Sequence, residues 1–313
     1  ILYQSMKEEL MDQFNVYKDM KARTNGEIYI GVVGPVRTGK STFIKRFMNL
    51  MVLPNIEDEN DRNRANDELP QSSSGKTIMT TEPKFVPNEA VSIKTEEGIE
   101  LNVRLIDCVG YMVEGATGHM EGEEERLVKT PWFDYEIPFT KAAAIGTKKV
   151  ITEHSTIGVV VTCDGSFGEI AAKQYEPAEE ETIKQLKALK KPFVVLLNTI
   201  HPYSESTKQL AAEKEEKYQT KVLPMNLEQM KKEDIYEIIK SVLMEFPISS
   251  IGFYVPRWTE MLKKDHPLKM ELLQMARDVI TEKTTMRDIY EEQEKEYEYI
   301  TGQKLESVAM DSG

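Results

Sequence analysis

Eight residues carry the clearest chemistry in this chain: Gly34-Pro35-Val36-Arg37-Thr38-Gly39-Lys40-Ser41. They fit G-x-x-x-x-G-K-[ST] at every fixed position, between an apolar run and an amphipathic one. Glycines at these spacings let successive backbone N–H groups turn inward around an anion, and a following helix adds the positive end of its dipole. On that reading the backbone of Gly34, Pro35, Val36, Arg37, Thr38 and Gly39, together with Lys40, Ser41 and Thr42, holds a triphosphate. The Lys40 ammonium reaches the β- and γ-phosphates, and the Ser41 hydroxyl ligates magnesium. Arg37 is a candidate to lean on the phosphates as a charge stabiliser in cis, with a plain surface charge as the alternative.

A magnesium site needs further oxygens. Asp107 supplies one at the end of the run Asn102 to Ile106, and Asp107-Cys108-Val109-Gly110 fits D-x-x-G. There the carboxylate approaches the metal and the Gly110 N–H senses the γ-phosphate. A polar stretch between the two motifs ends in Thr80-Thr81. In switch-type nucleotidases a threonine here folds over metal and phosphate and lets go after hydrolysis. Thr81 is the metal candidate beside Ser41 and Asp107, although the residues alone leave the choice between Thr80 and Thr81 open.

Guanine-reading relatives of this motif set carry N-K-x-D after a later strand. Here that place reads Asn198-Thr199-Ile200-His201, so Asn198 is kept while the lysine and aspartate are lost. Without the carboxylate, guanine has no paired acceptor, which favours ATP with Mg2+ as the ligand. Tyr111 stands where Ras-like enzymes place a water-orienting glutamine, so intrinsic turnover is expected to be slow or the water held by another group. His154 and His201 read as structural or base-side residues.

The elements that must position these residues are an alternation of β-branched runs (28–33, 102–106, 157–161, 193–197 and a weaker 221–224) with helical patterns (41–50, 137–154, 178–189, 207–218 and 232–245). Near-continuous apolar runs suit a mostly parallel sheet covered on both faces, hence an α/β, doubly wound P-loop nucleotidase domain. Ala90 to Lys94 is expected to pair with 102–106 through a turn at Glu97-Gly98. Residues 54–74 are too long for an ordinary loop, which suggests a functional segment or ordered insertion. Residues 111–138, after D-x-x-G, read as a lid, a subunit contact or a surface loop. The expected organisation is an N-terminal extension (1–13), the nucleotidase domain (14–247) and a helical segment (248–313) that opens a second domain. Within that segment 258–264 and 268–283 look helical, and 290–299 is strongly acidic.

The chain has 313 residues and a net charge of −13, so a broad nucleic-acid face is excluded while a local phosphate pocket is not. Cys108 and Cys163 sit in apolar runs, which suggests a reducing, cytosolic setting over a disulfide framework. No apolar run approaches the length of a membrane span.

Longer words in the sequence add to this. Gly31 to Lys45, Val52 to Ile56, Asp67 to Ser72, Gly75 to Pro87, Asp107 to Tyr111, Thr130-Pro131-Trp132 and Glu153 to Val160 resemble the stage IV sporulation protein A family of spore-coat morphogenetic ATPases. The likeness covers most of residues 14 to about 265. It implies a GTPase-like (TRAFAC) P-loop fold that uses ATP, with Lys40 as Walker lysine, Asp107 as Walker B-type aspartate and Thr80 and Thr81 as sensor threonines. It also implies hydrolysis-driven self-assembly into a static homo-polymer, the base layer of the coat on the mother-cell side of the forespore outer membrane. Family members are longer. Their C-terminal portions, expected to be missing here, bind a small amphipathic membrane-surface protein and other coat proteins. Two alternatives stay open on the residues alone: a GTPase switch with a divergent base motif, and a nucleotide-binding scaffold without turnover.

Overall fold

The computed structural model describes residues 16–70, 82–94, 100–121, 124–168, 170–290, 296–300 and 307–312. The apolar runs form the expected strands: β1 (Glu27–Val33), β2 (Lys84–Lys94), β3 (Glu100–Asp107), β8 (Ile157–Cys163), β9 (Phe193–Asn198) and β10 (Val222–Met225). Their order across one six-stranded sheet is β10-β9-β8-β1-β3-β2. All neighbours run parallel except β2, which returns antiparallel along β3 at the edge.

Both sheet faces are covered, and alternation along each strand shows how. Val159, Val161, Val194 and Leu196 join one apolar cluster, and Val160, Val195 and Leu197 join the other. Successive strand side chains point to opposite faces, so a fully buried strand must be apolar throughout. The first cluster is completed by Phe43, Ile44 and Phe47 of α2 (Lys40–Phe47) and by Ile235, Ile238 and Val242 of α7 (Lys232–Met244). The second face receives Ile183 and Leu186 of α5 (Ala172–Ala188) and Ala211 and Tyr218 of α6 (Glu205–Tyr218). Truncating a fully buried member such as Leu196 to alanine costs about 2–5 kcal/mol.

Several boundaries differ from the sequence expectation, each for a local reason. The helix expected from Ser41 to Leu50 keeps α-geometry only to Phe47; a wider π-turn then runs through Met48–Val52 and a 3-10 turn through Leu53–Asn55. The helix expected from Ile137 starts at Phe139 as α4 (Phe139–Lys149), because residues up to Pro138 are held in a hairpin. The helix expected from Ala178 starts six residues earlier despite Pro177. The Gln174 side chain reaches back to accept the Ala171 N–H at 3.0 Å and satisfies an exposed donor of the first turn. The long stretch 54–74 contains α3 (Glu59–Asp67), capped by the Asp58 carboxylate accepting from the Asp61 N–H at 2.9 Å. Residues 71–74 lie outside the described residues, as does the Glu97-Gly98 turn.

The 111–138 insertion is two small hairpins, β4 (Met120–Glu121) with β5 (Glu124–Glu125), and β6 (Leu127–Thr130) with β7 (Phe133–Pro138). After α7 the chain folds back on the domain. Ile248 N–H donates to Thr284 at 3.0 Å, Met286 N–H donates to Phe246 at 2.9 Å, and Met286 and Met310 enter the first cluster. Residues 258–264 form only a 3-10 turn (Arg257–Met261), whereas α8 (Pro267–Glu282) matches the expected helix. Of the acidic stretch 290–299, residues 291–295 lie outside the described residues. α1 (Val16–Arg23) leads into β1 and places the Arg23 Nε on the Met310 carbonyl at 2.8 Å.

Candidate nucleotide site

β1 ends at Val33, and the loop 34–39 lies at its C-terminal tip before α2 begins at Lys40. Parallel pairing sets Val32 beside Asp107 and Val32 beside Val159. Register alone therefore carries the D-x-x-G aspartate to the foot of a loop far from it in sequence. The crevice outside the C-terminal ends of parallel strands is where open α/β sheets take ligands.

Two glycines are dictated by close approach. Gly39 has φ +104°, and a Cβ there would sit 2.6 Å from Asn198 Nδ2. Gly110 has φ +94°, and a Cβ there would lie 2.1 Å from the Gly34 carbonyl and 2.6 Å from Lys40 Nζ. Left-handed backbone and absence of space both exclude a larger residue. The loop is braced internally: the Thr38 hydroxyl donates to the Pro35 carbonyl at 3.0 Å, Lys40 Nζ donates to the same carbonyl at 2.5 Å, and Val36 N–H donates to the Tyr111 carbonyl at 3.0 Å. Lys40 is buried. Burial pushes its ammonium pKa down, and the neighbouring Cys108 and Asp107 oppose that.

The Ser41 hydroxyl donates to Asp107 Oδ2 at 3.0 Å, while the buried Oδ1 has no hydrogen-bond partner. Burial raises the Asp107 pKa, and Lys40 and the Ser41 hydrogen bond pull it back. A buried carboxylate oxygen with an open lone pair beside a hydroxyl suits a hard cation. No group of three or more His, Cys, Asp or Glu side chains able to hold a metal occurs among the described residues. A magnesium ion here would draw its remaining ligands from phosphate and water, its usual habit. Thr42, in the first turn of α2, is half-buried. Thr80 and Thr81 lie outside the described residues.

Arg37, at φ +61°, sends its guanidinium to the Thr117 carbonyl at 3.0 Å and the Thr117 hydroxyl at 2.9 Å. It thus joins the loop to the 111–138 insertion. Asn198 is buried, with both ends of its amide engaged: Nδ2 donates to the Thr38 carbonyl at 3.0 Å and Oδ1 accepts from the Leu227 N–H at 3.2 Å. It ties the loop to β9 and to the turn after β10. Leu227 carried no motif; the only hint was its place just past the last strand of the series. Tyr111 serves the loop through its backbone, while its hydroxyl lies beside Gln185 of α5, pushed up to about 12 by burial. A phenol so placed has its ring packed toward α5 instead of orienting water. His154 stacks edge-on against Phe85 at 5.3 Å, a packing role. Cys108 and Cys163 are both free and buried.

Comparison with known proteins agrees with this geometry. A family model described as stage IV sporulation protein A, ATPase domain, matches residues 11–247, and one described as the middle domain of the same protein matches residues 248–313. The chain is 54% identical over 275 residues to a stage IV sporulation protein A of Clostridioides difficile strain 630, covering 88% of this chain and 56% of the relative. It is 47% identical over 305 residues to the one of Bacillus anthracis, covering 97% and 62%. For Bacillus subtilis strain 168 the figures are 46% over 305 residues, again 97% and 62%. The chain thus spans less than two thirds of the length of these curated relatives.

Proposed function

The chain belongs to the stage IV sporulation protein A family, and we propose that it hydrolyses ATP with magnesium at the 34–41 loop to drive its own assembly into the basement layer of the spore coat. One observation carries the nucleotide reading: the Ser41 hydroxyl and the open Asp107 oxygen meet beside the buried Lys40 ammonium. That donor set matches what a magnesium triphosphate requires.

In this reading the amides of residues 34–41 and the α2 N-terminus cradle the β- and γ-phosphates. Lys40 exchanges its bond to the Pro35 carbonyl for phosphate oxygens, and Ser41 and Asp107 hold the metal with Thr81. Magnesium, when bound, neutralises charge developing on the transferred phosphoryl group. The Gly110 amide stands where it can sense the γ-phosphate, and Thr80 and Thr81 complete the sensing from the preceding segment. Arg37 couples the loop to the insertion through Thr117, so changes at the phosphates are felt there first. Asn198 is committed to the loop, and no carboxylate follows it at the N-K-x-D place, which supports adenine over guanine.

The coat-assembly part rests on membership of the family. Partners are further copies of the chain, a small amphipathic membrane-surface protein and other coat proteins, and the setting is the mother-cell side of the forespore outer membrane. No described helix is long and apolar enough to cross a membrane, in line with attachment through such a partner.

The deciding experiment is phosphate release from ATP and from GTP, with magnesium, for this chain and for Lys40→Ala. ATP turnover that vanishes in the variant supports the reading. GTP preference would make the chain a switch GTPase, and nucleotide binding without turnover would make it a scaffold.

A further inference from the structure

At the opposite edge of the sheet from the 34–41 loop lies a cavity of about 710 Å³. Strand direction fixes its place, because Phe193 opens β9 and Thr220 lies just before β10, so this wall belongs to the N-terminal ends of parallel strands. The facing wall is the returning tail, residues 247–251 and 283–285, pinned by the Ile248–Thr284 and Met286–Phe246 backbone bonds.

Its charge runs against that of the molecule. Lys187, Lys190, Lys191 and Lys283 line it, with Glu245 as the one carboxylate among the lining residues. Glu245 is already answered: Arg287 lies 3.3 Å from its Oε1 and the Lys221 N–H donates to the same oxygen at 3.3 Å. Lys191 rests on a neutral partner, the Ser155 carbonyl. Four ammonium groups converging on a partly enclosed space repel one another unless an anion joins them. Burial pushes the Lys187 and Lys191 ammonium pKa values down, and at Lys187 the nearby Arg287 adds to it. A solvated lysine face would spread its heads apart. Here they share a hollow whose remaining walls include the apolar Phe193, Ile248, Ile251 and Ile280.

The donor type selects among anions. The Arg287 guanidinium is committed to Glu245 and to the Gln219 carbonyl at 2.9 Å, so no planar fork faces the hollow to grip a carboxylate on two points. Converging point charges suit the higher charge and tetrahedral spread of phosphate. The volume falls within the range of small-molecule pockets, and the apolar wall gives an organic body a place to pack. We propose that this cavity is a second anion site, distinct from the nucleotide loop, which takes a soluble phosphate-bearing small molecule between the Lys187–Lys191 turn and the returning tail.

Calorimetric titration of the whole chain with inorganic pyrophosphate tests this. A non-hydrolysable ATP analogue first saturates the 34–41 loop, with excess magnesium matched in cell and syringe. One site per chain is expected, weakened by at least about tenfold in Lys187→Gln/Lys190→Gln, which removes two charge-assisted contacts. Ser250→Glu, a like charge for the ligand on the facing wall, should weaken it independently. ATP turnover and melting temperature should stay unchanged in both variants. Absence of pyrophosphate binding to the wild-type chain overturns the proposal, as does binding that both variants retain. Binding only to phosphatidic acid vesicles, with none to free pyrophosphate, would overturn the soluble-ligand assignment.

Discussion

Asn198→Ala tests what the kept asparagine does. Its amide makes two buried bonds, to the Thr38 carbonyl at 3.0 Å and from the Leu227 N–H at 3.2 Å, and both partners are themselves buried. Truncation leaves one acceptor and one donor without water or protein partners. An orphaned buried group costs about 1–3 kcal/mol, so the pair amounts to roughly 2–5 kcal/mol. For a domain of this size each kcal/mol moves the melting temperature by about 2–4 °C, giving an expected fall of about 5–15 °C without nucleotide. Because the lost bonds hold the loop and not a base, affinity for ATP, GTP and tripolyphosphate should drop together. The ATP-to-GTP ratio should stay within about twofold, since no base contact is removed. Differential scanning fluorimetry and competition binding read both quantities. A variant that melts like wild type but shifts that ratio tenfold or more would refute the reasoning and make Asn198 a base reader.

Gly110→Ala should cost about 3 kcal/mol or more and strip the loop of nucleotide affinity, since its Cβ would meet the Gly34 carbonyl at 2.1 Å in a left-handed backbone; a fully active, normally melting variant would show that the loop can yield. The Cys108 thiol, pushed up to about 11 by burial, leaves only about a thousandth as thiolate at pH 8. It should therefore resist iodoacetamide in the folded chain and react on denaturation, as mass spectrometry would record. Burial pushes the Asp288 carboxyl up, yet hydrogen bonds from the Thr285 and Thr284 amides and the Thr284 hydroxyl outweigh it and hold the pKa below its ordinary 3.8. A depressed folded-state value contributes stability above the unfolded pKa and loses it as pH falls through the folded one. Asp288→Asn should thus melt lower than wild type at pH 7, with the gap closing below pH 3.8; a gap independent of pH would mean the carboxylate charge is irrelevant.

The sheet was legible because its strands are buried on both faces: a run such as Ile157-Gly158-Val159-Val160-Val161 has no polar position to confuse its reading. Helix boundaries were less so. Pro177 read as a helix start, but proline costs a helix one backbone bond, and Tyr175, Ala178, Ile183 and Leu186 bury enough apolar surface to offset it. Hairpins β4–β5 and β6–β7 escaped notice because their strands are short and mostly exposed, with little apolar alternation to betray them.

The site divides along the same physical line. Gly34, Gly39, Lys40, Ser41, Asp107 and Gly110 could be named from sequence because their roles depend on local backbone geometry and on side-chain types at fixed spacing. Asn198 was found by its type but given the neighbourhood of the base, whereas its geometry assigns it to the loop. That distinction needs the register: β9 ends beside Cys163 of β8, which puts its last residue within reach of Thr38, and β10 pairs Met225 with Asn198, which brings the Leu227 amide round to the other side. Three segments far apart in sequence therefore converge on one amide. A substitution at any of them loosens the phosphate loop without touching a phosphate. The same logic applies to Arg37, whose sequence neighbours are loop residues but whose bonding partner, Thr117, belongs to the insertion. A residue type in a motif states what chemistry is available; the register of the surrounding strands decides which partner receives it.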